Sequence, residues 1–153
     1  MSIEVASPVA GLAAALSDVP DPVFSQAMVG PGVAVKPTAE AADAVAPIAG
    51  TVATLHPHAF VVASAGGTAV LVHLGIDTVQ LKGEGFELHV AKGDQVAAGQ
   101  RMVSWDPAAV EGKGFSSVCP VVALDVAPDA LGDLREDGQV AACDQLFTID
   151  GHA

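Results

Sequence analysis

The chain has 153 residues, of which 51% are hydrophobic and 16% charged, so it has the material for one buried core and is not an intrinsically disordered polar chain. Six Lys and Arg against eighteen Asp and Glu give a formal charge of −12, which disfavours nucleic acid and anionic membrane surfaces and favours basic protein partners. The two cysteines, Cys119 and Cys143, form no CxxC pair; they read as buried reduced thiols and exclude a cysteine-based zinc site.

The first apolar run, residues 5–16, has no cationic flank, because the first Lys or Arg is Lys36; it is not read as a signal peptide. The uncharged stretch 44–76 is broken by Pro47, Gly50, Pro57, Gly66 and Gly67, so it is not read as a membrane helix, and a cytoplasmic protein is expected. Short apolar runs between Gly, Pro and Asp punctuation predict strands at 32–37, 50–55, 59–65, 68–75, 86–90, 101–106, 117–125 and 145–150. Proline-led segments at 107–111 and 128–135 predict short helices. The whole, residues 1–153, reads as a single all-β sandwich or barrel domain. Two echoes suggest a duplicated β unit: Pro8-Val-Ala-Gly against Pro47-Ile-Ala-Gly, and Gln95-Val-Ala-Ala against Gln139-Val-Ala-Ala. Trp105 reads as a core residue, His89 as a strand residue and Gly83-Glu84-Gly85 as a turn.

Three of the five histidines fall within residues 56–73. Taking Gly66-Gly67 as a two-residue hairpin turn places Phe60 opposite His73, His58 opposite Gly75 and His56 opposite Asp77. Alternation then puts Ala59, Val61, Ala63, Val70, Val72, Leu74 and Ile76 on the core face. His56, His58, Phe60, Val62, Leu71, His73 and Asp77 fall on the other. In this register His58 and His73 are diagonal neighbours about 7–8 Å apart, and Gly75 leaves room beside them. A neutral imidazole with one free nitrogen is a nucleophile near pH 7, and phosphoryl transfer needs one such acceptor plus a donor to the phosphoryl oxygens. The same face admits a zinc-dependent hydrolase that uses His56, His58, His73 and Asp77 as ligands.

Residues 72–86, Val-His-Leu-Gly-Ile-Asp-Thr-Val-Gln-Leu-Lys-Gly-Glu-Gly-Phe, resemble the phosphorylation-site signature of the enzyme IIA domain of the glucose and N-acetylglucosamine branch of the bacterial phosphotransferase system. Segments 18–24, 29–37, 46–51, 58–60 and 92–100 extend the resemblance over nearly the whole chain. It implies an antiparallel β-sandwich of the duplicated hybrid type, with one or two short helices. It implies that His73 accepts a phosphoryl group from the histidine phosphocarrier protein and passes it to a cysteine of the IIB domain of a sugar permease, with His58 steadying the group. Gly75 would hold the other nitrogen of His73, His56 would support the site, and Asp21, Val23, Phe24, Phe60 and Asp77 would form a partner-binding rim. No cofactor is required; weak zinc binding at His58 and His73 is allowed, and phosphorylation-dependent regulatory protein targets are compatible with the family. His56 stands where the family usually has Thr or Ser.

Overall fold

The computed structural model describes residues 2–19, 21, 30–38 and 42–150. Val, Ala, Ile and Thr, which suit a half-buried pleated surface, fill strands bounded by Gly, Pro and Asp turns. In the first part of the chain these are β1 (Ser2–Ala6), β2 (Gly11–Ala15), β3 (Gly32–Pro37), β4 (Ala42–Val45), β5 (Gly50–His56), β6 (Ala59–Ala63) and β7 (Ala69–His73). In the rest they are β8 (Glu87–Leu88), β9 (Gln95–Val96), β10 (Arg101–Trp105), β11 (Cys119–Leu124), β12 (Leu131–Gly132), β13 (Gln139–Val140) and β14 (Gln145–Asp150). Among the described residues one short α-helix, α1 (Pro107–Gly112), starts at Asp106, whose Oδ1 accepts from the amides of Ala108 (3.0 Å) and Ala109 (3.3 Å), with Pro107 at its first position.

The strands form an eight-stranded sheet in the order β13-β2-β3-β11-β7-β6-β5-β9 and two three-stranded sheets, β1-β14-β12 and β4-β10-β8. Every ladder is antiparallel. Val33, Val35, Phe60, Val62, Val70, Val72 and Val121 on the inner face of the large sheet join Val5, Met102 and Phe147 of the small ones in one core. Alternation turns Ala34, Val122 and Leu71 to the opposite face, where they meet Leu16, Val19 and Ile76 in a second, smaller cluster.

The order of the large sheet reads as a palindrome in which β13 matches β9, β2 matches β5, β3 matches β6 and β11 matches β7. The sequence echoes sit at matching places. Ala6 N bonds Pro47 O and Val45 N bonds Pro8 O, both at 2.9 Å. Gly99 N bonds Ala46 O (2.9 Å) where Cys143 N bonds Ser7 O (2.8 Å), and both donors have positive φ, 87° and 76°. The antiparallel duplicated sandwich expected from the sequence is therefore the observed fold.

Four local expectations are corrected. Residues 128–135 form a 3-10 turn at Pro128–Ala130 and then strand β12, because pairing of Leu131 with Ile149 of β14 and the left-handed Asp133 (φ 52°) override the helix-compatible composition. Strands β1, β2, β4, β9, β12 and β13 add to those predicted. Cys119 is buried but Cys143 is exposed.

The fourth correction concerns the hairpin. Ala63 pairs with Ala69 and Ala59 with His73, one residue out of the expected register, because the loop has three residues, Ala65 to Gly67, rather than two. Gly67 N bonds Ser64 O (2.9 Å) and Gly67 takes φ 91°, a turn closed by a glycine bulge. A one-residue slip exchanges faces on β6: Phe60 and Val62 are wholly buried, while Val61 and Ala63 are half-exposed.

Candidate functional site

His58 lies outside the strands. His56 pairs with Ala59, so Pro57 and His58 form the two-residue turn from β5 to β6, and the His58 carbonyl accepts from Leu74 N at 2.7 Å. His73 ends β7 on the face shared with Leu71 and Val61, opposite Ala59. The turn thus brings His58 to the end of the strand that carries His73. Their ring centroids are 5.2 Å apart at an interplanar angle of 66°, and His56 stacks on His58 at 5.6 Å and 23°. His56 is not opposite Asp77 as expected: its ladder partner is Ala59, which also pairs with His73, so the two histidines lie in one row across the sheet.

A short strap after β7 orients the nucleophile candidate. Ile76 N bonds Ser116 O at 2.9 Å, and the buried Thr78 hydroxyl donates to Leu74 O at 2.8 Å. Between them Gly75 takes φ +85°, turning its carbonyl onto His73, whose Nδ1 donates to it. With Nδ1 carrying the proton, Nε2 of His73 keeps its lone pair. The space expected beside Gly75 is not open: a Cβ there would lie 2.6 Å from Thr78 Cγ2 and 2.8 Å from Ser116 O. The glycine allows close backbone packing, not ligand access.

Burial lowers the pKa of His73 below the usual 6.5; the Gly75 bond and the charges of Asp21 and Asp77 act the other way. His58 is lowered to about 4, by burial first and then by His73 and His56. Both rings are neutral at pH 7. Cys119 is buried in the main core, which pushes its thiol up to about 12 and leaves it unreactive.

Among the expected rim residues, Asp21 is half-buried and Asp77 exposed with φ 60°. Val23 and Phe24 lie outside the described residues. Phe60 is corrected: the hairpin register turns it into the core at 0% exposure, so it cannot meet a partner. Val79, 58% exposed on the 3-10 turn Thr78–Leu81 that follows Asp77, was not singled out from the sequence. Val79 and Leu81, apolar residues among the polar side chains of the run Asp77 to Lys82, are the available signal. Among the described residues no three His, Cys, Asp or Glu side chains make a metal-holding group.

Away from this site, His89 Nε2 lies 2.6 Å from Ser104 Oγ, and Ser104 donates its proton to Asp43. His89 therefore donates to Ser104. With the serine proton given directly to a carboxylate, the group is a structural link between β10 and β4, not a nucleophilic triad. Trp105 is 3% exposed and stacks on Phe86 at 5.9 Å, a core residue as expected.

The family model of the phosphoenolpyruvate-dependent sugar phosphotransferase system, EIIA 1, matches residues 3–127. The chain belongs to this family. It is a phosphotransferase component, a phosphoryl carrier of a sugar phosphotransferase system. It is 42% identical over 122 residues to a glucose-specific EIIA component of Oceanobacillus iheyensis, covering 78% of this chain and 73% of that protein. A glucose-specific EIIBCA component of Corynebacterium glutamicum is 41% identical over 122 residues, 78% of this chain but 18% of that protein, so the chain corresponds to a small part of this multidomain relative. Among solved structures, glucose permease IIA from Mycoplasma capricolum superposes with a TM-score of 0.89 at 32% identity, over 97% of this chain and 96% of that one. Among the described residues no helix of this EIIA chain is long and apolar enough to cross a membrane.

Proposed function

We propose that this EIIA domain carries the phosphoryl group on Nε2 of His73, taking it from the histidine phosphocarrier protein and giving it to a cysteine of a IIB domain that serves a glucose-type or N-acetylglucosamine-type permease. The observation that carries this reading is the bond from His73 Nδ1 to the Gly75 carbonyl, which fixes the ring and assigns the proton of the neutral imidazole to Nδ1. In the first step that lone pair forms a bond to phosphorus while the P–N bond of the donor phosphohistidine breaks, its electron pair returning to the donor ring. In the second, a cysteine thiolate attacks phosphorus and the pair returns to Nε2. His58, its ring 5.2 Å from that of His73, offers an N–H to the phosphoryl oxygens as charge moves between donor and acceptor.

The EIIBCA name of the Corynebacterium glutamicum relative supports a IIB partner, since there the IIA and IIB parts share one chain. The charge of −12, with Asp21 and Asp77 acting on the site, suits a basic patch on the phosphocarrier protein. A cytoplasmic location fits these partners. The scheme uses no cofactor, and zinc is expected to bind at most weakly at His58 and His73 and to compete with the phosphoryl donor.

The test is incubation with phosphoenolpyruvate, enzyme I and the phosphocarrier protein, followed by intact mass. Wild type should gain one phosphoryl group and His73→Ala none. His58→Gln should accept the group but pass it on slowly. Phosphorylation of His73→Ala at wild-type stoichiometry would overturn the assignment, and loss of acceptance in chelator that zinc restores would revive the zinc-dependent hydrolase.

A further inference from the structure

We infer that His56 is the positioning residue of this site, its stacked ring fixing the orientation in which His58 presents an N–H to the phosphoryl group on His73. This rests on the phosphocarrier reading above. The two imidazoles of the pair are held by different means. His73 is locked by its Nδ1 bond to Gly75. Among the described residues no hydrogen bond reaches the His58 ring, and its ring neighbours are His73, met edge-on, and His56, stacked.

His58 also sits in a turn, not in a ladder, so its backbone is fixed by Pro57 and the Leu74 bond while its side chain keeps its torsional freedom. The contact with His73 alone is edge-on and leaves the ring free to swing outward. His56 removes that freedom. Its backbone is pinned opposite Ala59 at the end of β5, and its ring lies nearly parallel to His58 at 5.6 Å. An aromatic contact of this kind is worth about a two- to twelvefold preference for the stacked orientation. The ring contact His56 makes is with His58, and its action on the phosphoryl group is through that ring. Its side chain is exposed, so truncation opens no cavity in the core.

The experiment compares wild type, His56→Ala and His56→Phe in the full chain, measuring first acceptance from the phosphocarrier protein and then transfer to IIB. His56→Ala should accept one phosphoryl group on His73 but transfer it with kcat reduced about fivefold and KM unchanged. His56→Phe keeps a stacking ring without its nitrogens, and should restore kcat to within about twofold of wild type. Nuclear Overhauser contacts between the rings of residues 56 and 58 should be present in wild type and in His56→Phe. Wild-type kcat in His56→Ala, a His56→Phe no faster than His56→Ala, or absent ring contacts in wild type would each overturn the inference while leaving the phosphocarrier reading intact. A wild-type chain that accepts no phosphate would overturn both.

Discussion

Replacing Gly75 by Ala separates two costs that a left-handed glycine can hide. The first is backbone strain: φ is +85°, and an L-residue there costs about 1 kcal/mol. The second is crowding, because the new Cβ would meet Thr78 Cγ2 at 2.6 Å and the Ser116 carbonyl at 2.8 Å. The carbonyl belongs to backbone and cannot rotate away, so the strap must shift and put at risk the Ile76–Ser116 and Thr78–Leu74 hydrogen bonds, about 1 kcal/mol each. The expected total is about 3 kcal/mol. Gly67→Ala is the matched control: φ is +91° but nothing lies within 4 Å, so it should cost only the strain, about 1 kcal/mol. Thermal unfolding should therefore separate the two variants by roughly 8 °C in a chain of this size. Phosphoryl acceptance should fall about 10–100-fold in Gly75→Ala, where the Nδ1 anchor moves, and stay at the wild-type level in Gly67→Ala. Equal melting temperatures for the two variants, or full acceptance by Gly75→Ala, would refute the close-packed strap as the element that orients His73.

The hairpin register predicts that Val62→Ala, at a wholly buried position, costs about 2–3 kcal/mol, whereas Val61→Ala on the half-exposed face costs under about 1 kcal/mol; denaturant titration checks both. Because the fold keeps His58 and His73 neutral while the unfolded chain protonates them near pH 6.5, the unfolded state binds more protons below that value. Stability should then fall as pH drops from 6.5 toward the His58 value of about 4, and acceptance should fall with it as Nε2 of His73 protonates, both measurable across a pH series. A maleimide should label one thiol per native chain, Cys143, and two after denaturation, since Cys119 is buried with its thiol pushed up to about 12.

The duplication was legible because Pro8-Val-Ala-Gly and Pro47-Ile-Ala-Gly preserve the residues at which the two halves exchange backbone bonds. The histidine pair was legible too, though by a route the structure does not follow. Gly66-Gly67 has the composition of a two-residue turn, and apolar patterning could not correct the slip, because Ala59 and Val61 on one face of β6 are as apolar as Phe60 and Val62 on the other. The inverted face sent Phe60 to the surface on paper and into the core in fact. His58 still came beside His73 because it leaves the strand at Pro57, which alternation along β6 cannot show. Strands β8, β9, β12 and β13 have two residues each, too short for any periodicity, and exist through their partners in distant segments. The stacking of His56 on His58 depends on that same turn and was out of reach of strand reasoning.

The palindromic sheet has a kinetic consequence. Its halves are interleaved, not side by side in sequence: β1 pairs with β14, joining Ser2 to Asp150, and β2 closes against β13. The ladders that complete the N-terminal part of the sandwich therefore wait for residues 139–150. Loop-closure entropy is spent before such pairings return any stability, so folding should be slow for a chain of this length, in the range of non-local β topologies. Until β13 and β14 dock, β1 lacks its strand partner and β2 is an open edge beside β3, and a chain at that stage presents these unpaired edges to its neighbours.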